Sequence, residues 1–133
     1  MTDSQPQNGS VFISYSRKDK EFVRTLYEGL VSQNVKVWVD WEGIPLSADW
    51  MDEITRAIDG ADAFIVVISP DWLASQVCAQ EYELGLKQNK KLVPVLHRMP
   101  EKGTPLPEKL AATNWVYMRA EDDFAATLPR LVD

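Results

Sequence analysis

The chain is 133 residues long, with 45% apolar and 26% charged residues, the size and composition of one globular domain able to bury its own core. A formal net charge of −6, with no basic patch in either half, argues against nucleic acid as the main partner. The single cysteine, Cys78, excludes an intramolecular disulfide framework and a multi-cysteine zinc site, and points to a reducing, cytoplasmic setting.

Residues 1–9 are polar, carry Pro6 and Gly9, and read as a disordered tail ahead of a single domain at 10–133. No apolar run approaches a membrane span, and the first ten residues lack the basic start and apolar stretch of a signal peptide, so no membrane partner is expected. A short apolar strand is predicted near 11–15. Asp19 is placed to cap a helix over 20–33, in which Phe22, Val23, Leu26, Tyr27 and Leu30 keep the amphipathic i, i+3/i+4 rhythm. Residues 35–40 read as a second strand, rich in β-branched and aromatic side chains, and 42–49 (EGIPLSAD) as a loop. A helix at 50–59, with Met51, Ile54, Ala57 and Ile58 inward, ends at Gly60. The run AFIVVIS at 63–69 has no polar face and suits a central strand buried on both sides. Pro70 breaks it, 71–74 form a turn, and Ser75 caps a helix over 76–88. A fourth strand is predicted at 91–97, although Pro94 argues for an edge position. A proline-rich loop, a short helix at 108–112, a last strand at 115–118 and a final helix capped by Asp122 or Asp123 complete the chain.

Strands alternating with helices predict an α/β, flavodoxin-like three-layer sandwich whose five parallel strands take the order 2-1-3-4-5. In such a sheet ligands bind beyond the carboxyl ends of the strands where the order reverses, here between strands 1 and 3. Residues 14–18 and 69–75 flank that crevice, with 42–49 beside it. The chain has no glycine-rich dinucleotide loop and no P-loop. It also lacks the carboxylates of a phospho-receiver and a nucleophile elbow to go with His97. Aromatic, hydroxyl and carboxylate groups remain: Trp38, Asp40, Trp41, Trp50, Trp72, Glu81 and, three residues before Glu81 on the same helix face, Cys78. Spacing alone thus gives a fold and a crevice but no reaction.

Three segments together resemble a TIR (Toll/interleukin receptor) domain over nearly the whole chain. The first is VFISYS at 11–16 with the turn Arg17-Lys18-Asp19. The second is VWVDW at 37–41 running into EGIPLSADW. The third is ISPDW at 68–72 followed by Ser75 and the C-A-Q-E run that ends in Glu81. The second segment is similar to bacterial, especially cyanobacterial-type, members fused to larger proteins, so further domains of a longer native chain are expected. The resemblance implies the order 2-1-3-4-5 with the proline-bearing strand interior. It makes 42–49 the assembly loop, with Gly43, Ile44, Pro45 and Leu46 as its interface residues.

The family holds two functional classes, enzymes that cleave NAD+ at the nicotinamide–ribose bond and non-enzymatic adaptors that bind other TIR domains. In the first class the glutamate of C-x-x-E is catalytic, which here is Glu81. Tyr15, Ser16 and Arg17 are placed to contact phosphates and ribose, Asp40 and Trp41 to line the pocket, and Ser75 and Cys78 to position Glu81. NAD+ would be a substrate, with no cofactor and no metal. Many cleaving members carry a tryptophan just before the cysteine, where this chain has Val77. Trp72, Trp41 or a neighbouring subunit would have to supply that aromatic wall. The expectation is an NAD+-consuming TIR domain of bacterial immune or stress signalling, assembled with other TIR domains.

Overall fold

The computed structural model describes residues 9–39 and 48–132, without the side chains of 48–51, 130 and 132. The expectations for residues 1–8, for Asp40 and Trp41, and for Gly43, Ile44, Pro45 and Leu46 lie outside the described residues.

Five parallel strands, β1 (Ser10–Ser14), β2 (Lys36–Trp38), β3 (Ala63–Ile68), β4 (Lys91–Leu96) and β5 (Val116–Tyr117), form one sheet of order β2-β1-β3-β4-β5. Helices α1 (Lys20–Ser32), α2 (Ala48–Asp59), α3 (Pro70–Leu73), α4 (Gln76–Lys87), α5 (Glu108–Ala112) and α6 (Phe124–Val132) fill the connections.

Alternation along the strands builds two cores. Phe12, Phe64, Val66, Ile68 and Leu96 face one side and pack with Ile54 and Ile58 of α2, Tyr82 of α4 and Leu110 of α5. Ile13, Ile65, Val67 and Val95 face the other and pack with Val23, Leu26 and Leu30 of α1 and Leu128 of α6. This is the expected three-layer sandwich. As the run AFIVVIS predicts, every β3 residue after Ala63 is buried.

The expectation that Pro94 pushes β4 to an edge is overturned, because β4 lies between β3 and β5. The reason is the direction of the missing donor. His97 N–H bonds the Ile68 carbonyl on the β3 side, whereas the Leu96 carbonyl accepts from Met118 on the β5 side. In a parallel strand these directions alternate, so residue 94 points its nitrogen away from β3. β5 pairs only with Val95 and Leu96 and does not reach that far. No ladder bond is lost.

Other boundaries shift by small amounts. The expected turn at 71–74 is the single-turn helix α3, with Pro70 at its first position and Ser69 Oγ accepting from Trp72 N–H at 3.1 Å. Asp123 caps α6, accepting from Ala126 N–H at 3.1 Å, while Asp122 holds Arg119 instead. Asp19 does stand at the N-cap of α1, but its carboxylate makes no capping bond.

One close approach sets the seat of α4. A Cβ built on Gly85 would stand 3.0 Å from Cδ2 of the Phe64 ring, so only glycine lets the helix rest this low on the sheet.

Candidate active site

The sheet order reverses between β1 and β3, and the strand ends there are polar. Ser14 closes β1 on the face of Phe12, the face that α4 covers. The chain then leaves the strand through Tyr15 and Ser16 and makes a 3-10 turn, Arg17–Asp19, whose Lys18 N–H bonds Ser16 Oγ. Across the crevice Ser75 caps α4, accepting from Cys78 N–H at 3.2 Å, as predicted. One and a half turns on, Glu81 projects inward and is only 5% exposed. Its Oε1 accepts a 2.8 Å hydrogen bond from Ser14 Oγ, which in turn accepts from Trp72 Nε1 at 3.0 Å.

Between these elements lies a cavity of about 260 Å³ lined by Tyr15, Ser16, Arg17, Ser75, Cys78 and Glu81, together with Ile13, Lys18 and Val77. Six predicted site residues therefore meet in one pocket at the predicted switch point. Of the flank expected at 69–75, only Ser75 reaches it. Trp72 does not supply the missing aromatic wall. It is buried in the core, edge-on to Tyr82 at 5.8 Å, with its indole nitrogen spent on Ser14. Val77 faces the pocket in its place. Sequence reasoning assigned no role to Ser14. The signal was present in strand parity, which puts Ser14 on Phe12's face and hence under α4.

A second polar cluster pins the β1–α1 turn from behind. Buried Asp19 accepts from Ser69 Oγ at 2.5 Å and from Arg98 Nε at 2.9 Å. Arg98 also grips Asp71, and Asp71 stands 3.6 Å from Lys18 Nζ. The Arg98 hydrogen bond holds the Asp71 carboxyl below its ordinary value. His97 stacks on Phe22 with ring centroids 4.0 Å apart, and burial lowers its pKa. Burial pushes the Cys78 thiol up to about 12, so it stays a neutral wall of the pocket at physiological pH. Among the described residues no group of three or more His, Cys, Asp or Glu is arranged to hold a metal, and no helix is long and apolar enough to cross a membrane.

A family model described as TIR domain matches residues 11–132. Among curated proteins, the chain is 27% identical over 107 residues to a protein of Methanobrevibacter olleyae named probable 2' cyclic ADP-D-ribose synthase TcpO. That match covers 72% of this chain and 31% of the relative, so the chain corresponds to less than a third of the relative's length. Among solved structures, it superposes on the TIR domain of the Toll-related receptor TRR-2 from Hydra magnipapillata with a TM-score of 0.74 at 24% identity, covering 92% of this chain and 93% of that one. It also superposes on the CMP N-glycosidase BcmB of Clostridium botulinum with a TM-score of 0.60 at 21% identity, over 92% and 97% of the two chains. At these identities the structural likeness speaks for the fold alone.

Proposed function

The chain belongs to the TIR domain family, and from that premise we propose that it cleaves NAD+ at the nicotinamide–ribose bond, with Glu81 as the catalytic carboxylate. The observation that carries the reading is the placement of Glu81: a buried carboxylate at the floor of the switch-point pocket, oriented by a hydroxyl donor. The name of the archaeal relative, a probable cyclic ADP-ribose synthase, supports the same substrate class.

The chemistry suits a single carboxylate. Ordinary glycoside hydrolysis uses two, one of them to protonate the leaving oxygen. In NAD+ the nicotinamide ring is already cationic. When the ribose C1'–N bond breaks, the ring takes the bonding pair and leaves neutral, so no acid is required. Glu81 accepts from the ribose hydroxyls and stabilises the oxocarbenium charge as it develops. Water then captures the cation and yields linear ADP-ribose, or a nucleophile of the ADP-ribose itself closes a ring. A cavity of about 260 Å³ is smaller than the roughly 300–1,000 Å³ of a whole ligand site. It takes the nicotinamide–ribose end and leaves the diphosphate at the mouth beside Ser16, Arg17 and Lys18. Self-association with other TIR domains, in a cytoplasmic bacterial or archaeal immune or stress pathway, completes the proposal.

A non-enzymatic self-association module is the second reading, and one observation favours it: Val77, not an aromatic ring, faces the pocket. The test is nicotinamide release by clustered protein. Wild type and Glu83→Ala, whose side chain is exposed on another face of α4, are expected to release it, and Glu81→Ala to fall by at least about 10²–10³-fold. Equal release from wild type and Glu81→Ala would falsify the enzymatic assignment.

A further inference from the structure

Among the described residues the buried polar and charged side chains are Ser14, Asp19, Ser69 and Glu81, and all four join through one tryptophan. Trp72 gives its indole N–H to Ser14 Oγ at 3.0 Å and its backbone N–H to Ser69 Oγ at 3.1 Å. Each serine hydroxyl donates a hydrogen bond to a carboxylate, Ser14 to Glu81 at 2.8 Å and Ser69 to Asp19 at 2.5 Å. The polarity follows from the groups themselves. An indole nitrogen only donates, so the Ser14 oxygen is the acceptor there, and its hydrogen must go to another acceptor. Glu81 Oε1 is that acceptor, and a bond donated to a carboxyl oxygen is stronger when the group is ionised than when it is protonated.

We propose that Ser14 and Trp72 are positioning residues for Glu81, forming a one-way hydrogen-bond chain that holds its carboxylate in a single orientation and in the ionised form. This inference rests on the functional reading above and adds to it how the anion is kept at 5% exposure. A hydrogen bond to the charged form favours that form, against the cost of burial. Among the described residues the charged and titratable groups sharing the pocket are Arg17 and Lys18 from the turn after β1, Tyr15 beside them, and Cys78 on α4 itself. Asp19 is linked to this chain through Ser69 and Trp72. Arg98 compensates it, through Nε at 2.9 Å.

The test uses the whole chain as Ser14→Ala, Ser14→Thr and Trp72→Phe, the last keeping an aromatic ring while deleting the donor. Two readouts are taken: the pH profile of kcat and KM for nicotinamide release, and the titration of the Glu81 carboxyl by carbon-detected NMR. In Ser14→Ala, kcat is expected to fall about 10- to 100-fold, the amount of one hydrogen bond to a charged group, with KM little changed. Its acid limb and the Glu81 midpoint are expected to move up in pH together. Trp72→Phe is expected to shift both the same way by less, because the freed Ser14 hydroxyl can turn from Glu81, and Ser14→Thr to restore them. A folded Ser14→Ala whose Glu81 midpoint equals that of wild type overturns the proposal. Should Ser14→Ala not fold, an unshifted midpoint in Trp72→Phe does the same. A wild type that releases no nicotinamide defeats only the functional reading, and the NMR titration still decides this one.

Discussion

Replacing Asp19 with alanine is expected to cost the domain about 3–4 kcal/mol of stability, from a buried hydroxyl left without its acceptor and a turn that loses its anchor. The carboxylate is buried, accepts from Ser69 Oγ at 2.5 Å, and receives Arg98 through Nε at 2.9 Å and a terminal guanidinium nitrogen at 2.8 Å. Hydrogen bonds to a charged group contribute roughly 1.5–3 kcal/mol each, which taken singly would overshoot. Arg98 discounts the sum, since its side chain is 42% exposed and keeps Asp71, so alanine strands no charge. The remaining cost is the Ser69 hydroxyl left buried without an acceptor and the loosening of the turn that carries Ser16, Arg17 and Lys18. For a domain of this length each kcal/mol lowers the thermal midpoint by about 3–5 °C, so a fall of about 10–15 °C is expected. Asp19→Asn keeps the volume and an acceptor for Ser69 and should lose about half as much. Urea unfolding followed by circular dichroism measures both, with the slope m checked for constancy. A loss below about 1 kcal/mol for Asp19→Ala at unchanged m would show that Arg98 and Asp71 hold the turn without it.

Three further outcomes follow from the same structure. Cys78, with its thiol pushed up to about 12 and buried, should resist alkylation at pH 8 in the folded state and react at once in urea, as mass spectrometry would show. Burial holds His97 below the ordinary 6.5, so under that pH the unfolded chain takes up a proton that the folded chain refuses. Stability should therefore decline as pH falls from about 6.5 toward 5, above the range where Asp71 titrates, and His97→Phe should flatten the slope in paired urea midpoints. Ser75→Ala should remove the N-cap of α4 and cost about 1 kcal/mol in the same assay, with Glu81 remaining in register.

What the sequence discloses here is what depends on neighbours in the chain. Unbroken apolarity at 63–69 marks the central strand, and the spacing of Val23, Leu26 and Leu30 marks the buried face of α1. The Ser75 cap follows from the same local rules, whereas Glu81 is singled out by the family resemblance and not by its spacing. Long-range partners decide the remainder. Asp19 reads as a capping residue from its position, yet Ser69, 50 residues on, and Arg98, 79 residues on, take its carboxylate. Trp72, one candidate to replace the aromatic wall missing at Val77, lies instead in the core, where Ser14 and Tyr82 hold it. The edge rule for Pro94 fails because strand parity and the two-residue length of β5, neither visible in composition, decide whether the missing donor matters.

The contact between Gly85 and Phe64 has a consequence for how the pocket can be tuned. Gly85 lies one turn beyond Glu81 on the same face of α4, with the Phe64 ring directly beneath it. The height of that helix over the sheet is thus a mechanical dimension, and the gap between Glu81 and Ser14 is read from the same ruler. A methyl group at residue 85 would stand 3.0 Å from the Phe64 ring, so the ring or the helix would have to give by a few tenths of an ångström. The spacing between Glu81 and Ser14 can be adjusted from inside the hydrophobic core, by parts that line no wall of the pocket.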